Sequence, residues 1–265
     1  MQNSIVKEEQ CLVGRAAAGT EVRVPSHVTF ELLAMLRTRL CQPDARPGRV
    51  FLLSPANVTG IRAGQIMSDC APSELPELPE LQRRLRREGV TLGELFCFIS
   101  GLYFRGKLAY ARTFARVPRN FPGAYVITAC GGLIPPETRV TLEQVRDICC
   151  GEVDPANARY RVPLDRDLRS LSELATDCQI VLLGSIATPK YIDPLLEILG
   201  EQLFFPVEFV GRGDMSRGGL MLRCVDAGTQ LTYVPVTTAT RHGRRPPKLT
   251  GRSSTAEKRH PGNSR

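Results

Sequence analysis

The chain has no tryptophan, only three histidines, and no C-x-x-C among its nine cysteines. Each shortage excludes something. A structural zinc site draws on closely spaced Cys and His. Neither the scattered cysteines nor the histidines, two of which fall in or beside the C-terminal tail, provide one, so no metal is expected. No apolar run approaches the roughly 18 residues of a membrane-spanning helix. The opening MQNSIVKEEQCLVG lacks a basic segment followed by an apolar one, so no secretory signal is expected and the reading is cytoplasmic. Cys97, Cys149, Cys178 and Cys224 sit in apolar runs and read as small core residues. The adjacent Cys149-Cys150 reads either as a redox pair or as two buried thiols at a helix end.

A cofactor motif is lacking as well. Gly101–Lys107 spells G-x-x-x-x-G-K, but Leu108 stands where a phosphate loop needs Ser or Thr to hold magnesium. The loop interior would be Leu-Tyr-Phe-Arg, too bulky to wrap phosphates, so the match is accidental and no cofactor is expected. The periodicity predicts an amphipathic helix over 102–116 instead, with Tyr103, Lys107, Tyr110 and Phe114 on one face.

What is present is an ordinary globular composition: 265 residues, 42% apolar and 23% charged. The net charge of +8 is concentrated at one end. Residues 241–265 carry eight Lys/Arg and one Glu, whereas the other 240 residues carry 27 basic and 26 acidic side chains. The tail RHGRRPPKLTGRSSTAEKRHPGNSR has no core formers and is expected to be disordered beyond Leu249. It serves either as an electrostatic hold on nucleic acid or as a solubilising segment.

In chain order, residues 1–48 form a lead-in, with a short strand at 22–24 and a helix from Ser26 to Leu40. Residues 49–236 form an α/β core domain, and 237–265 the basic tail. Strands are predicted at 49–53, 124–129, 180–183 and 203–210. A closing pair, or a strand with a short helix, is expected at 220–223 and 231–234. Helices are expected at 78–88, 142–150, 164–175 and 189–199. Each of the four main strands runs into a small polar loop: Ser54-Pro55 through Gly64, Cys130-Gly131-Gly132, Gly184-Ser185, and the glycine-rich GRGDMSRGG at 211–219. This alternation predicts a three-layer α/β/α fold around a central, mostly parallel sheet of four to five strands. Ligands of such sheets bind at the strand carboxyl ends.

SPANVTGIRAGQIM, AYVITACGGLIPPE and IVLLGSIATPK, with the 209–219 loop after them, resemble the strand-end motifs of the uracil-DNA glycosylase-like superfamily. LYFRGKLAYARTFA, YVITACGGLIPP and LLGSIATPKYIDPLL in that order look closest to the YaaA-type peroxide-stress proteins and their uncharacterised relatives, over residues 49–223. The resemblance implies association with DNA or RNA, a stress-related role, and a base pocket at the strand ends. Ser54 stands where the glycosylases place an acidic or amide residue to orient water, Thr128 where they place a base-reading amide, and their last histidine has no counterpart.

Three functions follow as expectations. The first is an enzyme acting at a nucleobase or its N-glycosidic bond, with Ser54, Asn57 and Asp214 as catalytic candidates. Thr128, Cys130, Ser185, Lys190 and Arg217 would then bind substrate. The second is a non-catalytic DNA- or RNA-binding protein using Arg62, Lys107, Arg212, Arg244, Arg245 and Lys248 on phosphates. The third is an enzyme acting on a small nucleotide or nucleoside.

Overall fold

The computed structural model describes residues 47–68, 78–247 and 249. The strand expected at 22–24, the helix at 26–40 and Lys248 lie outside the described residues. The strands are β1 (Gly48–Leu53), β2 (Val90–Thr91), β3 (Ala124–Ile127), β4 (Leu133–Ile134), β5 (Arg139–Val140), β6 (Cys178–Leu183), β7 (Leu203–Pro206) and β8 (Tyr233–Pro235). The helices are α1 (Ile61–Met67), α2 (Leu78–Arg87), α3 (Leu92–Ser100), α4 (Leu102–Phe114), α5 (Leu142–Ile148), α6 (Ala158–Leu174), α7 (Pro189–Leu199) and α8 (Asp214–Ala227).

Val50-Phe51-Leu52-Leu53 has no polar side to turn to water, so it must be covered on both faces. It is: every residue of β1 is buried. β1 lies inside a six-stranded sheet of order β4-β3-β1-β6-β7-β8. It pairs in parallel with β3, Leu53 opposite Val126, and with β6, Leu53 opposite Leu183. β6 pairs in parallel with β7. The expected four to five strands become six because β4 and β8 add antiparallel edges to β3 and β7. Both are short, two and three residues, too brief to register as apolar periodicity. A separate two-stranded ribbon joins β2 and β5.

Helices α4 and α8 pack on each other, and α4 also touches β1 and β3; α6 packs on α7, which reaches β7. Local chemistry sets several ends. Thr141 and Gln144 form a reciprocal capping box on α5, and Asn157 caps α6. Gly228 closes α8 in the left-handed conformation, φ 64°.

Two sequence expectations fail here. The strand expected to run to Val210 stops at Pro206 and gives way to a 3₁₀ turn, Val207–Phe209. GRGDMSRGG is not a loop throughout, because the helix α8 begins at Asp214 and continues to Ala227; of the two readings offered for 220–223 and 231–234, the helix with a strand is the one found. Gly218 within α8 serves packing. A Cβ on Gly218 would come within 2.8 Å of the Leu102 carbonyl oxygen and the Tyr103 Cα, and one on Gly106 within 2.7 Å of the Gly218 carbonyl oxygen. Two helices meet backbone to backbone at that point.

Candidate functional site

Because β3, β1, β6 and β7 are parallel, their carboxyl ends share one sheet edge. From β1 the chain moves to one neighbour, β3, and later to the other, β6, so the β1/β6 seam is the switch point where the two connections diverge. A cavity of about 590 Å³ lies there. The 54–59 loop, Thr128 and Ala129, the 149–153 segment, Ser185 and the start of α7, and Asp214 at the start of α8 all line it. Residues 54–59 and Ser185, Lys190 and Tyr191 line the same cavity, so the loops after β1 and β6 lie on one sheet edge, as the strand-to-loop pattern predicts.

Ser54 ends β1 on the cavity wall. Gly184 makes room for it, since a Cβ there would stand 3.2 Å from the Ser54 Cβ. The Ser54 N–H donates to the Leu183 carbonyl at 3.3 Å, and its hydroxyl lies 3.4 Å from the same oxygen. Behind it sits Lys107 of α4, fully buried. Its Nζ donates to the Ser54 carbonyl oxygen at 2.5 Å and to Oγ at 3.0 Å, and lies 4.2 Å from the Tyr103 ring centroid. Burial brings the Lys107 pKa down to about 7, with Asp214 raising and Arg217 lowering it.

Tyr103, one turn before Lys107, is 8% exposed and lines the cavity, and its buried hydroxyl has no hydrogen-bond partner. Buried polar atoms are normally paired. This one is shut off from the cavity as well, and Ser54 and Arg217 stand beside it. Burial raises the Tyr103 pKa, against the lowering by Arg217 and Ser54. Phe96 and Tyr191 supply further aromatic wall, and burial pushes the Tyr191 hydroxyl up to about 12.

Of the residues singled out from sequence, Ser54, Asn57, Thr128, Ser185, Lys190 and Asp214 line this cavity. Several are occupied locally. The Asn57 side-chain Oδ1 accepts from the Thr59 N–H and hydroxyl at 3.0 and 2.7 Å. The Thr128 hydroxyl donates to the Gly132 carbonyl and accepts from the Gly131 N–H. Ser185 Oγ accepts from the Ala187 N–H. Lys190 and Asp214 are exposed charges at the rim.

The others are placed elsewhere. Cys130 points its thiol at the Cys150 carbonyl, with the two sulfurs 3.5 Å apart, and Cys149 lines the cavity instead. Burial pushes the Cys130 thiol up to about 11 and Cys149 to about 12, so neither is a ready thiolate. Arg217 is 8% exposed and spends its guanidinium on the Phe209 carbonyl, 3.7 Å from Asp214. Arg212 donates to the Glu208 carbonyl and to Ser216 Oγ, and Arg62 to the Phe98 carbonyl. Arg244 and Arg245 are exposed, away from the cavity lining. Lys107 meets no solvent and so cannot touch phosphate from where it stands.

Sequence reasoning missed the Ser54–Lys107 contact, 53 residues apart, and the parts played by Tyr103, Tyr191 and Glu152. The first had a signal: a lysine on an otherwise aromatic helical stripe is a charge aimed at the core. Among the described residues no cluster of His, Cys, Asp and Glu could hold a metal, and no helix is long and apolar enough to cross a membrane. Scanned against protein-family models and searched against curated proteins and solved structures, this chain matches none.

Proposed function

We propose that the cavity holds a nucleobase with its sugar, that the protein works on DNA, RNA or a free nucleoside, and that the bond it acts on is N-glycosidic. One observation carries this reading. Three aromatic side chains, Phe96, Tyr103 and Tyr191, converge with polar loop residues at the switch point of a mostly parallel sheet. A flat, polar-edged ring suits such walls, because stacking tolerates any base while hydrogen bonds read its edge. The resemblance to the uracil-DNA glycosylase-like superfamily, with its three-layer α/β/α fold, and to the YaaA-type stress proteins supports the same choice. Asp214 and Glu152 are the carboxylates on the lining, and a developing glycosyl cation requires one nearby. On this reading Ser54 and Asn57 position the water.

A small nucleoside is favoured over a nucleic-acid strand by one fact. Of the basic residues expected to meet phosphate or substrate, only Lys190 is on the lining. Incubating the protein with nucleosides and with single-stranded oligonucleotides, and following free base by chromatography, separates the two. Base released from nucleosides by a chain truncated after Pro247 establishes the small substrate. Tyr191→Ala should weaken binding by about 1–3 kcal/mol, the usual worth of one stacked base. Asp214→Asn should reduce turnover by roughly 10²–10⁴-fold with binding little changed. Absence of binding by bases, nucleosides and oligonucleotides alike in NMR titration overturns the proposal.

A further inference from the structure

The most unusual group in the molecule is the Lys107 ammonium. It is wholly buried, and none of the ion pairs among the described residues includes it. Its hydrogen bonds all go to one residue, Ser54, through the carbonyl oxygen at 2.5 Å and Oγ at 3.0 Å. The rings of Tyr103 and Phe104 cover it at 4.2 and 5.0 Å. A buried charge without a counter-ion is costly, and an apolar side chain of similar length would fill the space more stably. The charged and titratable groups that act on it are Asp214, exposed at the rim of the cavity, with Arg217 of the same helix α8 and Cys97 of α3.

From this geometry we infer that Ser54 is a nucleophile and Lys107 its general base, giving the cavity a serine–lysine acyl-transfer activity toward a carboxylic ester or amide. Ser54 lines the cavity and Lys107 does not, so the nucleophile faces the substrate with its base screened behind it. As a donor the Ser54 hydroxyl makes one long contact, 3.4 Å to the Leu183 carbonyl, and it can turn its proton to the neutral amine 3.0 Å away. The fall of the Lys107 pKa to about 7 makes that amine available near neutrality. Asn and Asp partners are not needed, since one desolvated lysine supplies the base.

Atoms balance without a further reagent. Ser54 Oγ bonds to the acyl carbon while its proton passes to Lys107 Nζ. The tetrahedral adduct collapses, the bond to the alcohol or amine breaks, and the leaving group takes the proton from Nζ. Water then adds to the acyl-serine and gives a proton to Nζ, which returns it to Ser54 Oγ as the carboxylic acid departs. This chemistry goes beyond the base-binding reading and does not depend on it.

The test uses probes that contain no base: p-nitrophenyl acetate and a fluorophosphonate, on the full chain. Expected are a burst of about one nitrophenolate per chain, a single acetyl or phosphonyl adduct mapped to Ser54, and a labelling rate that rises with pH about a midpoint near 7. Ser54→Ala should carry no adduct and Ser54→Cys should regain one. Lys107→Met should label at least about 100-fold more slowly. If Lys107→Met fails to fold, the pH profile of the unaltered chain decides. No adduct between about pH 6 and 9, an adduct that survives in Ser54→Ala, or a midpoint at the ordinary lysine value overturns the inference. A chain that binds nucleosides yet stays unlabelled separates this failure from that of the proposed function.

Discussion

Lys107 shows how far one residue can depart from its ordinary chemistry. Its folded pKa is lowered to about 7 from 10.5, so below about pH 7 both folded and unfolded chains hold the proton and the burial penalty is fully present. Between the two values the unfolded chain stays protonated while the folded one does not. Stability therefore rises with pH across that window, by up to about 1.4 kcal/mol per pH unit from this group. Burial raises the Tyr110 and Tyr160 hydroxyls and the thiols of Cys97, Cys130, Cys149, Cys178 and Cys224, and these act in the opposite sense once the unfolded thiols and tyrosines ionise, near 9 and 10. Denaturant unfolding at about pH 7 and 8 avoids that region. We expect the upward slope in the unaltered chain and a flatter one in Lys107→Met. Equal slopes would mean that the lysine keeps its proton in the fold. Arg217 makes a contrasting case. It was expected to bind substrate, but the guanidinium is buried on the Phe209 carbonyl, and it reads as a core residue.

At the scale of elements, α8 is the informative misreading. Four glycines in GRGDMSRGG suggest a mobile loop, because glycine loses most backbone entropy on ordering. Propensity was outweighed by packing: Gly218 and Gly106 let α8 and α4 approach where any side chain would collide. That approach holds Asp214 at the mouth of the cavity and Lys107 behind Ser54. Gly218→Ala should therefore destabilise by about 1–3 kcal/mol through overpacking, despite alanine's better helix propensity. Gly64 in α1 has nothing within 4 Å of an added Cβ. Gly64→Ala should stabilise by about 0.5–1 kcal/mol. Melting curves of the two variants check the pair, and a neutral Gly218→Ala would mean the helices can part cheaply.

For the whole molecule the question is how a near-neutral body and a basic tail share the work. Residues after Val236 still touch the core, since the Thr237 hydroxyl donates to Glu201 and the Arg244 carbonyl abuts Gly211. A truncation meant to remove only charge therefore belongs after Pro247. It deletes Lys248, Arg252, Lys258, Arg259, Arg265 and one Glu. If the tail is the electrostatic hold on duplex DNA, the log–log salt slope of binding should fall by up to about 4, at about 0.9 per phosphate neutralised. An unchanged slope by fluorescence anisotropy would leave the tail as a solubilising segment.

The sequence alone determined, to within a few residues at their ends, the strands expected at 49–53, 124–129 and 180–183 and the helices expected at 78–88, 102–116, 142–150 and 189–199. Those are local matters, written in apolar runs, caps and Gly/Ser/Pro punctuation, and each needs only neighbours along the chain. Tertiary structure decided the six-strand order, the helix hidden in the glycine-rich stretch, and the meeting of Ser54 with Lys107. The physical reason is the same in each case. An edge strand of two residues, a glycine that opposes a glycine, and a lysine that finds a serine 53 residues away are defined by what lies across the fold. No periodicity along the chain encodes that. Ser54 was singled out from sequence as a catalytic candidate and Lys107 as a phosphate contact, whereas their contact with each other, which carries the chemistry inferred for this cavity, was not legible.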